Sequence, residues 1–169
     1  MKKIFKISLF VFAIALAVAC KPLSEQIEIN GCELESFDGL SLGAGQLNLG
    51  TTLQVDGSNS SCRDISLSKF SAEIFSKSGK RVATVTYPKK KGEKLPTLHR
   101  RSTESVSIPL QVSFDNPLSA LSLASMTLDD YSEKGYTVSY DCTFRSGCLQ
   151  KRFTADKVPM AELSSVFDK

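Results

Sequence analysis

From Gln26 onward, apolar and polar residues alternate with a period of two, the signature of half-buried β-strands. Gln26-Ile27-Glu28-Ile29 alternates cleanly, and Leu47, Leu49, Thr51, Leu53 and Val55 mark one face of a strand over 46–55. Ile65, Leu67 and Lys69, then Phe70 to Phe75, continue the pattern with one slip of phase, which a β-bulge would produce. Ser76-Lys77-Ser78-Gly79-Lys80 reads as a turn, and Val82, Thr84 and Thr86 then alternate with Ala83, Val85 and Tyr87 in a β-branched strand. PKKKGEK, 88–94, is a charged loop. Val106, Ile108, Leu110, Val112 and Phe114 share one face of a strand over 103–114; Pro109, on the other face, points to an edge strand or a bulge. Tyr136, Val138, Tyr140 and Cys142 form a further strand, with Phe153 in its hairpin partner.

One segment departs from this period. Asp115-Asn116 precedes Pro117, an arrangement suited to a helix start. Leu118, Leu121, Leu123 and Met126 then follow at helical spacing, which predicts a short helix over 117–127. The tail from Val158 to Phe167 fits a strand or a helical turn equally well. About seven strands and one short helix predict a mainly-β domain over 26–169, an antiparallel immunoglobulin- or fibronectin-like β-sandwich. No internal repeat or low-complexity stretch interrupts it.

The first twenty residues read differently. A short positive segment precedes an apolar run of 13 residues, Ile7 to Ala19. A spanning helix needs about 20, so the run is a signal peptide's apolar region. It ends in Leu16-Ala17-Val18-Ala19-Cys20, which resembles the lipobox of bacterial lipoproteins. The resemblance implies cleavage after Ala19, a diacylglycerol on the Cys20 thiol and acylation (palmitate-like) of its freed amine. The alternative is an ordinary secretory signal that leaves Cys20 as a thiol. Residues 1–19 are then the leader and 20–25 the tether. Cys20 is followed by Lys21 with no Asp beside it, and no acidic run follows. By analogy with enteric lipoproteins, this favours the outer membrane, facing the periplasm.

Charge changes meaning with the leader. The 169 residues carry 21 Lys+Arg and 18 Asp+Glu. Three of the lysines lie in the leader, which has no acid, so the mature chain sets eighteen bases against eighteen acids. The pI of 8.6 therefore argues for no nucleic-acid partner. With one His and no Trp, a multi-histidine metal site is excluded, and no cofactor is implied.

Four cysteines besides Cys20 lie in what the leader makes an oxidising compartment: Cys32, Cys62, Cys142 and Cys148. Two disulfides are expected, with three connectivities open. Thr143 to Gly147 looks like a hairpin loop centred on Arg145, with Gly147 at positive φ, which favours Cys142–Cys148. Cys32–Cys62 follows by elimination and closes a loop worth about 3–4 kcal/mol of chain entropy. Intervening lengths of 29, 79 and 5 residues include no zinc knuckle and no C-x-x-C redox pair.

The order of segments resembles the late-embryogenesis-abundant type 2 domain, also called the water-stress and hypersensitive-response domain, over about 26–156. "ISLSKFSAEIFSKSGKRVATV" and then "VSIPLQVSF" lead into a Leu-rich helix and a closing hairpin. Gly79, Val82, Ala83, Ile108, Pro109 and Leu110 match the family pattern. Gly57-Ser58-Asn59-Ser60-Ser61 stands where the family has Asn-Pro-Asn. The resemblance implies a non-enzymatic domain of the kind tied to lipid contact or envelope integrity.

Candidate chemistry is sparse. Gly39-Leu40-Ser41-Leu42-Gly43 matches G-x-S-x-G but stands between two strands, so it reads as a loop before a nucleophile elbow. His99, near Glu104, reads as a surface histidine; Asp129-Asp130 falls short of a Ca²⁺ ligand set. Asn59-Ser60-Ser61 has the form of a glycosylation sequon, which has no meaning behind a bacterial lipobox. Lys89, Lys90, Lys91 and Lys94, with Arg100 and Arg101, could contact an anionic surface; the plainer reading is a solvated loop protecting a sheet edge. The expectation is a non-catalytic, membrane-tethered binding or structural module whose partner is an envelope protein, glycan or lipid. A carrier of an apolar ligand between the sheets, and a small serine hydrolase, are the alternatives.

Overall fold

A computed structural model describes residues 26–43, 45–89, 92–118, 120 and 133–159. The leader and tether, Lys90, Lys91, Asp129-Asp130, the predicted helix from Leu121 and the tail from Met160 lie outside the described residues. The eight strands are β1 (Ile27–Gly43), β2 (Gln46–Asn59), β3 (Ile65–Phe75), β4 (Arg81–Thr86), β5 (Thr97–Leu98), β6 (Ser102–Phe114), β7 (Thr137–Ser146) and β8 (Leu149–Pro159). They form one antiparallel sheet in the order β1-β2-β6-β4-β3-β7-β8, with β5 beside β3.

The sheet is curled into a half-barrel, and β4 makes the bend. Its ladder to β6 covers only Ala83–Thr86 against Gln111–Phe114. That leaves two wings, β1-β2-β6 and β3-β7-β8, whose inner faces share one core. The period-two pattern decides what enters that core. Leu49, Leu53 and Val55 of β2 are buried, as are Ile108, Leu110, Val112 and Phe114 of β6, and the residues between them face outward. In β3 the expected phase slip is real. The β3–β7 register shifts between Leu67 and Lys69, so that Ile65 and Leu67 before it, and Phe70, Ala72 and Ile74 after it, all point inward.

Several expectations need correction. Gly39 to Gly43 is strand, not loop: Leu40, Ser41 and Leu42 pair with Leu49, Asn48 and Leu47, because the alternation of Leu40 and Leu42 continues β1 up to its turn. Pro109 marks no bulge, but it does stand on a locally open edge of β6. The β2–β6 register runs unbroken through Thr52↔Pro109. Pro109 lies just before the β4 ladder, where β6 has no second neighbour to lose a hydrogen bond to. Asn116 does start a helix: its side-chain oxygen accepts the Leu118 N–H at 2.6 Å, and Pro117, Leu118 and Ala120 are helical.

The favoured Cys142–Cys148 pairing does not fit the register. The β7–β8 hairpin turns at Gly147-Cys148, not around Arg145: Ser146 pairs with Leu149, and Cys142 pairs with Phe153. Gly147 has the expected positive φ of 60°. Cys142 is thus four residues down the ladder from the turn, about 13 Å, and buried, whereas Cys148 is exposed. A disulfide bridges Cα atoms only about 4.4–6.8 Å apart. Cys32 stands opposite Val55 in the β1–β2 ladder; its side chain lies outside the described residues, and with it the Cys32–Cys62 pairing.

Candidate functional site

The register brings four segments that are remote in sequence to one end of the sheet. Ile27 pairs with Asn59, Asn59 with Ser102, Ile65 with Leu98, and Ser66 with Arg145 beside the β7–β8 turn. The first described residue, Gln26, is here too, its carbonyl accepting the Ser60 N–H at 2.9 Å.

Asn59 holds this end together. Its side chain is buried; the amide nitrogen donates to the carbonyls of Arg63 (2.9 Å) and Leu98 (3.1 Å). Its oxygen accepts the Ser61 N–H at 3.0 Å and the Ser61 hydroxyl at 2.7 Å. With all of its amide capacity used, Asn59 ties the 60–63 turn to β5. Between that turn and the β7–β8 hairpin lies an open cleft of about 570 Å³. Arg63, Arg145 and Lys151 line it together with Cys62, Phe144 and Leu149. Leu149 is 64% exposed.

The His99–Ser102 turn is fixed by Glu104. Its carboxylate accepts the His99 backbone N–H, lies 3.0 Å from His99 Nδ1 and accepts the Ser102 hydroxyl at 2.9 Å. The His99 backbone N–H contributes most to holding this carboxyl below the usual range, with the His99 ring and Ser102 adding to it. The arrangement locks the turn. His99 is largely exposed, and Ser102 donates to Glu104 and to the His99 carbonyl, not to the ring. Ser41, the other nucleophile candidate, is far away. It pairs with Asn48, eleven residues along β2 from the Asn59 that touches Leu98, about 35 Å of strand.

Among the described residues of the basic run, Lys89 and Lys94 lie apart from Arg100 and Arg101. Tyr87 hydrogen-bonds to the Phe70 carbonyl midway along β3, which leaves Lys89 on the flank, and Lys94 lines a shallow flank groove with Tyr87, Glu93 and His99. The phenol oxygen of Tyr87 is buried without a hydrogen-bond partner among the described residues, and burial raises its pKa. Arg100 and Arg101 stand just before β6 at the Asn59 end of the sheet: Ser102 pairs with Asn59, and the Arg100 N–H donates to Asp64 at 2.8 Å. Arg63, Arg145 and Lys151 were not singled out in the sequence because they lie in different strands and turns, and only strand register makes them neighbours.

A third feature is a narrow apolar gap between the wings, lined by Ile27, Val55, Ile108, Leu98 and Phe144 among others, with about 40 Å³ of free volume. That is room for about one water molecule. Among the described residues there is no cluster of three or more His, Cys, Asp or Glu side chains able to hold a metal. No helix there is long and apolar enough to cross a membrane.

No protein-family model and no curated protein matches the chain. Among solved structures, it is similar to a protein from Archaeoglobus fulgidus, at 13% identity over 78% of this chain and 100% of that one, with a TM-score of 0.40. A structural-genomics target aligns at 14% identity over 81% of this chain and 86% of its own, with a TM-score of 0.38. An uncharacterized β-sandwich protein from Clostridium difficile aligns at 11% identity over 77% and 84%, with a TM-score of 0.27. These likenesses speak to neither ligand nor activity.

Proposed function

We propose that the mature protein is a non-catalytic lipoprotein of the bacterial envelope, held by acyl chains on Cys20 and acting as a binding or structural module. Its body is a β-sandwich related to the late-embryogenesis-abundant type 2 domain, set on a tether of residues 20–25 and facing the periplasm from the outer membrane. The observation that carries this reading is Leu16-Ala17-Val18-Ala19-Cys20 at the end of a 13-residue apolar run. The strand pattern begins directly behind it, with β1 starting at Ile27. Two or more acyl chains, at about 0.8 kcal/mol per buried CH₂, hold a protein on a bilayer stably.

A carrier of apolar ligands is the weaker reading. The gap between the wings is far below the roughly 300 Å³ at which small-molecule pockets begin, so a lipid would require the wings to part. Native mass spectrometry of gently extracted protein is expected to show no co-purifying lipid beyond the covalent chains.

The test of the main reading is the mass of the mature N-terminus from the membrane fraction. The expected peptide begins at Cys20 with diacylglycerol and an N-acyl chain, and Cys20→Ala abolishes both the modification and the membrane association. An unmodified Cys20 overturns the proposal.

A further inference from the structure

We propose that the end of the body carrying Gln26 is a docking face for the anionic phospholipid headgroups of the membrane in which the protein is anchored. Arg63, Arg100, Arg101, Arg145 and Lys151 are its contacts, and Leu149 is its apolar foot. The inference deepens the anchored-lipoprotein reading and rests on it.

Three observations converge on this face. The first is reach. Five residues separate Cys20 from Gln26, a span of at most about 20 Å of chain, so the end of the sheet at Gln26 is the one held closest to the bilayer. The second is charge. All five bases are exposed, and none forms an ion pair among the described residues. The acids at this end are Glu28, Asp56, Asp64 and Glu104, of which Asp56 accepts the Ser105 hydroxyl. Asp64 accepts the Arg100 backbone N–H at 2.8 Å, and Glu104 is occupied by His99 and Ser102. At the far end the bases Lys77, Lys80, Arg81, Lys134 and Lys157 are interleaved with Glu73, Asp115, Glu133 and Asp156. Arg81 there is bound to both Glu73 and Asp115, at 2.9 and 3.1 Å.

The third observation is chemical type. Four of the five near bases are arginines, whose planar fork matches a phosphate bidentately, whereas lysine dominates the far end. Arg101 holds its place at φ 51°, a left-handed position that glycine or asparagine would take with less strain. Leu149, at the tip of the β7–β8 hairpin beside Lys151, projects an aliphatic side chain from among these cations. Bases within a Debye length of an anionic leaflet each raise its occupancy roughly fivefold. Held there by the anchor, the face need only orient the body, not recruit it.

The test uses the full acylated protein, its intact mass verified, reconstituted into vesicles of phosphatidylcholine alone or mixed with phosphatidylglycerol. An environment-sensitive fluorophore sits on Cys148, with Cys32→Ser and Cys62→Ser removing the other candidate thiols. A control instead carries the label at Ser78→Cys, with Cys148→Ser, in the turn at the far end of the sheet. The expected result is blue-shifted emission and quenching by headgroup-depth quencher lipids at Cys148 only, in phosphatidylglycerol vesicles only, reversed by high salt. The triple variant Arg63→Gln, Arg145→Gln, Lys151→Gln, whose fold is checked by circular dichroism, loses most of that quenching while still floating with the vesicles.

Equal quenching in both lipids or at both labels overturns the docking face while leaving the anchor standing, as does indifference to the triple variant. No quenching at all in an acylated, floating protein does the same, and would direct the cations to an acidic macromolecule instead. An intact mass without acyl chains defeats the anchor and this face together.

Discussion

Among the described residues the buried polar side chains are Thr51, Asn59 and Thr143, and Asn59 bears the most on the cationic end. Truncation of Asn59 to Ala leaves the Leu98 carbonyl and the Ser61 N–H short of a partner and leaves the Arg63 carbonyl with the Ser61 hydroxyl alone. The expected cost is about 2–4 kcal/mol in urea denaturation, and a loss below 1 kcal/mol would show that water replaces the amide. Nothing in the sequence marks Asn59, because its partners stand two, four and 39 residues away and its triplet reads as an inert sequon. Asp141 is the second case. It accepts two hydrogen bonds from Arg152, at 2.8 and 3.1 Å, and one from Lys69. The Arg152 hydrogen bonds contribute most to lowering its pKa, with Lys69 adding to them. A lowered carboxyl stabilises the fold above the unfolded aspartate value of about 3.9, and that stability is lost as pH falls through the folded value. Lys69 and Arg152 are themselves 58% and 65% exposed, so solvent screens the pair. Asp141→Asn is expected to lower stability by about 1 kcal/mol at neutral pH. Melts across pH should show that difference closing below about pH 3.9; a difference that persists in acid would assign the effect to packing instead.

At the scale of elements, the strands were legible wherever one face is buried and the other wet, since alternation then has a single solution. The bulge in β3 was legible for the same reason: only an inserted residue lets Leu67 and Phe70 face the same core. Ser68 therefore has a positional role beyond its own hydrogen bond to the Thr143 carbonyl at 2.9 Å. Ser68→Ala is expected to cost about 1 kcal/mol. Deletion of Ser68 would turn either Ile65 and Leu67 or Phe70, Ala72 and Ile74 outward and prevent cooperative folding, as read by circular dichroism and urea melts. A deletion variant as stable as Ser68→Ala would mean that β7 shifts register to follow. Gly39 to Gly43 and Pro109 misled for a related reason. Glycine and proline signal loops and edges when only their own segment is considered. Here β2 supplies a partner for the glycines, and the shortness of β4 leaves Pro109 on an open stretch of β6, so proline misled only as to a bulge.

At the scale of the whole molecule, no single segment encodes which loops meet. Adjacency at the cationic end follows from strand order, and strand order depends on pairings such as β2–β6, where Asn59 meets Ser102. Sequence proximity therefore grouped Arg100 and Arg101 with Lys89 and Lys94, and gave no sign of Arg63, Arg145 and Lys151, which strand register brings to the same end. The cysteines show the same effect. Counting along the chain favoured Cys142 with Cys148, yet the fold buries Cys142 and puts Cys148 on the exposed hairpin at the end of the sheet where Cys62 also lies exposed. Cys62 lines the cleft, and so do Ser146 and Leu149, the residues that flank the Gly147-Cys148 turn. Native-state labelling with a thiol reagent should therefore modify Cys62 and Cys148 quickly and Cys142 only on unfolding. In a redox buffer of glutathione disulfide, the cross-link expected from peptide mapping joins Cys62 to Cys148. The two thiols are oxidised and glutathione disulfide is reduced to two glutathiones, by way of a mixed disulfide at the exposed cysteines. Recovery of a Cys142–Cys148 peptide from folded protein would place the hairpin turn around Arg145 after all, and with it would fall the register that gathers the five cations.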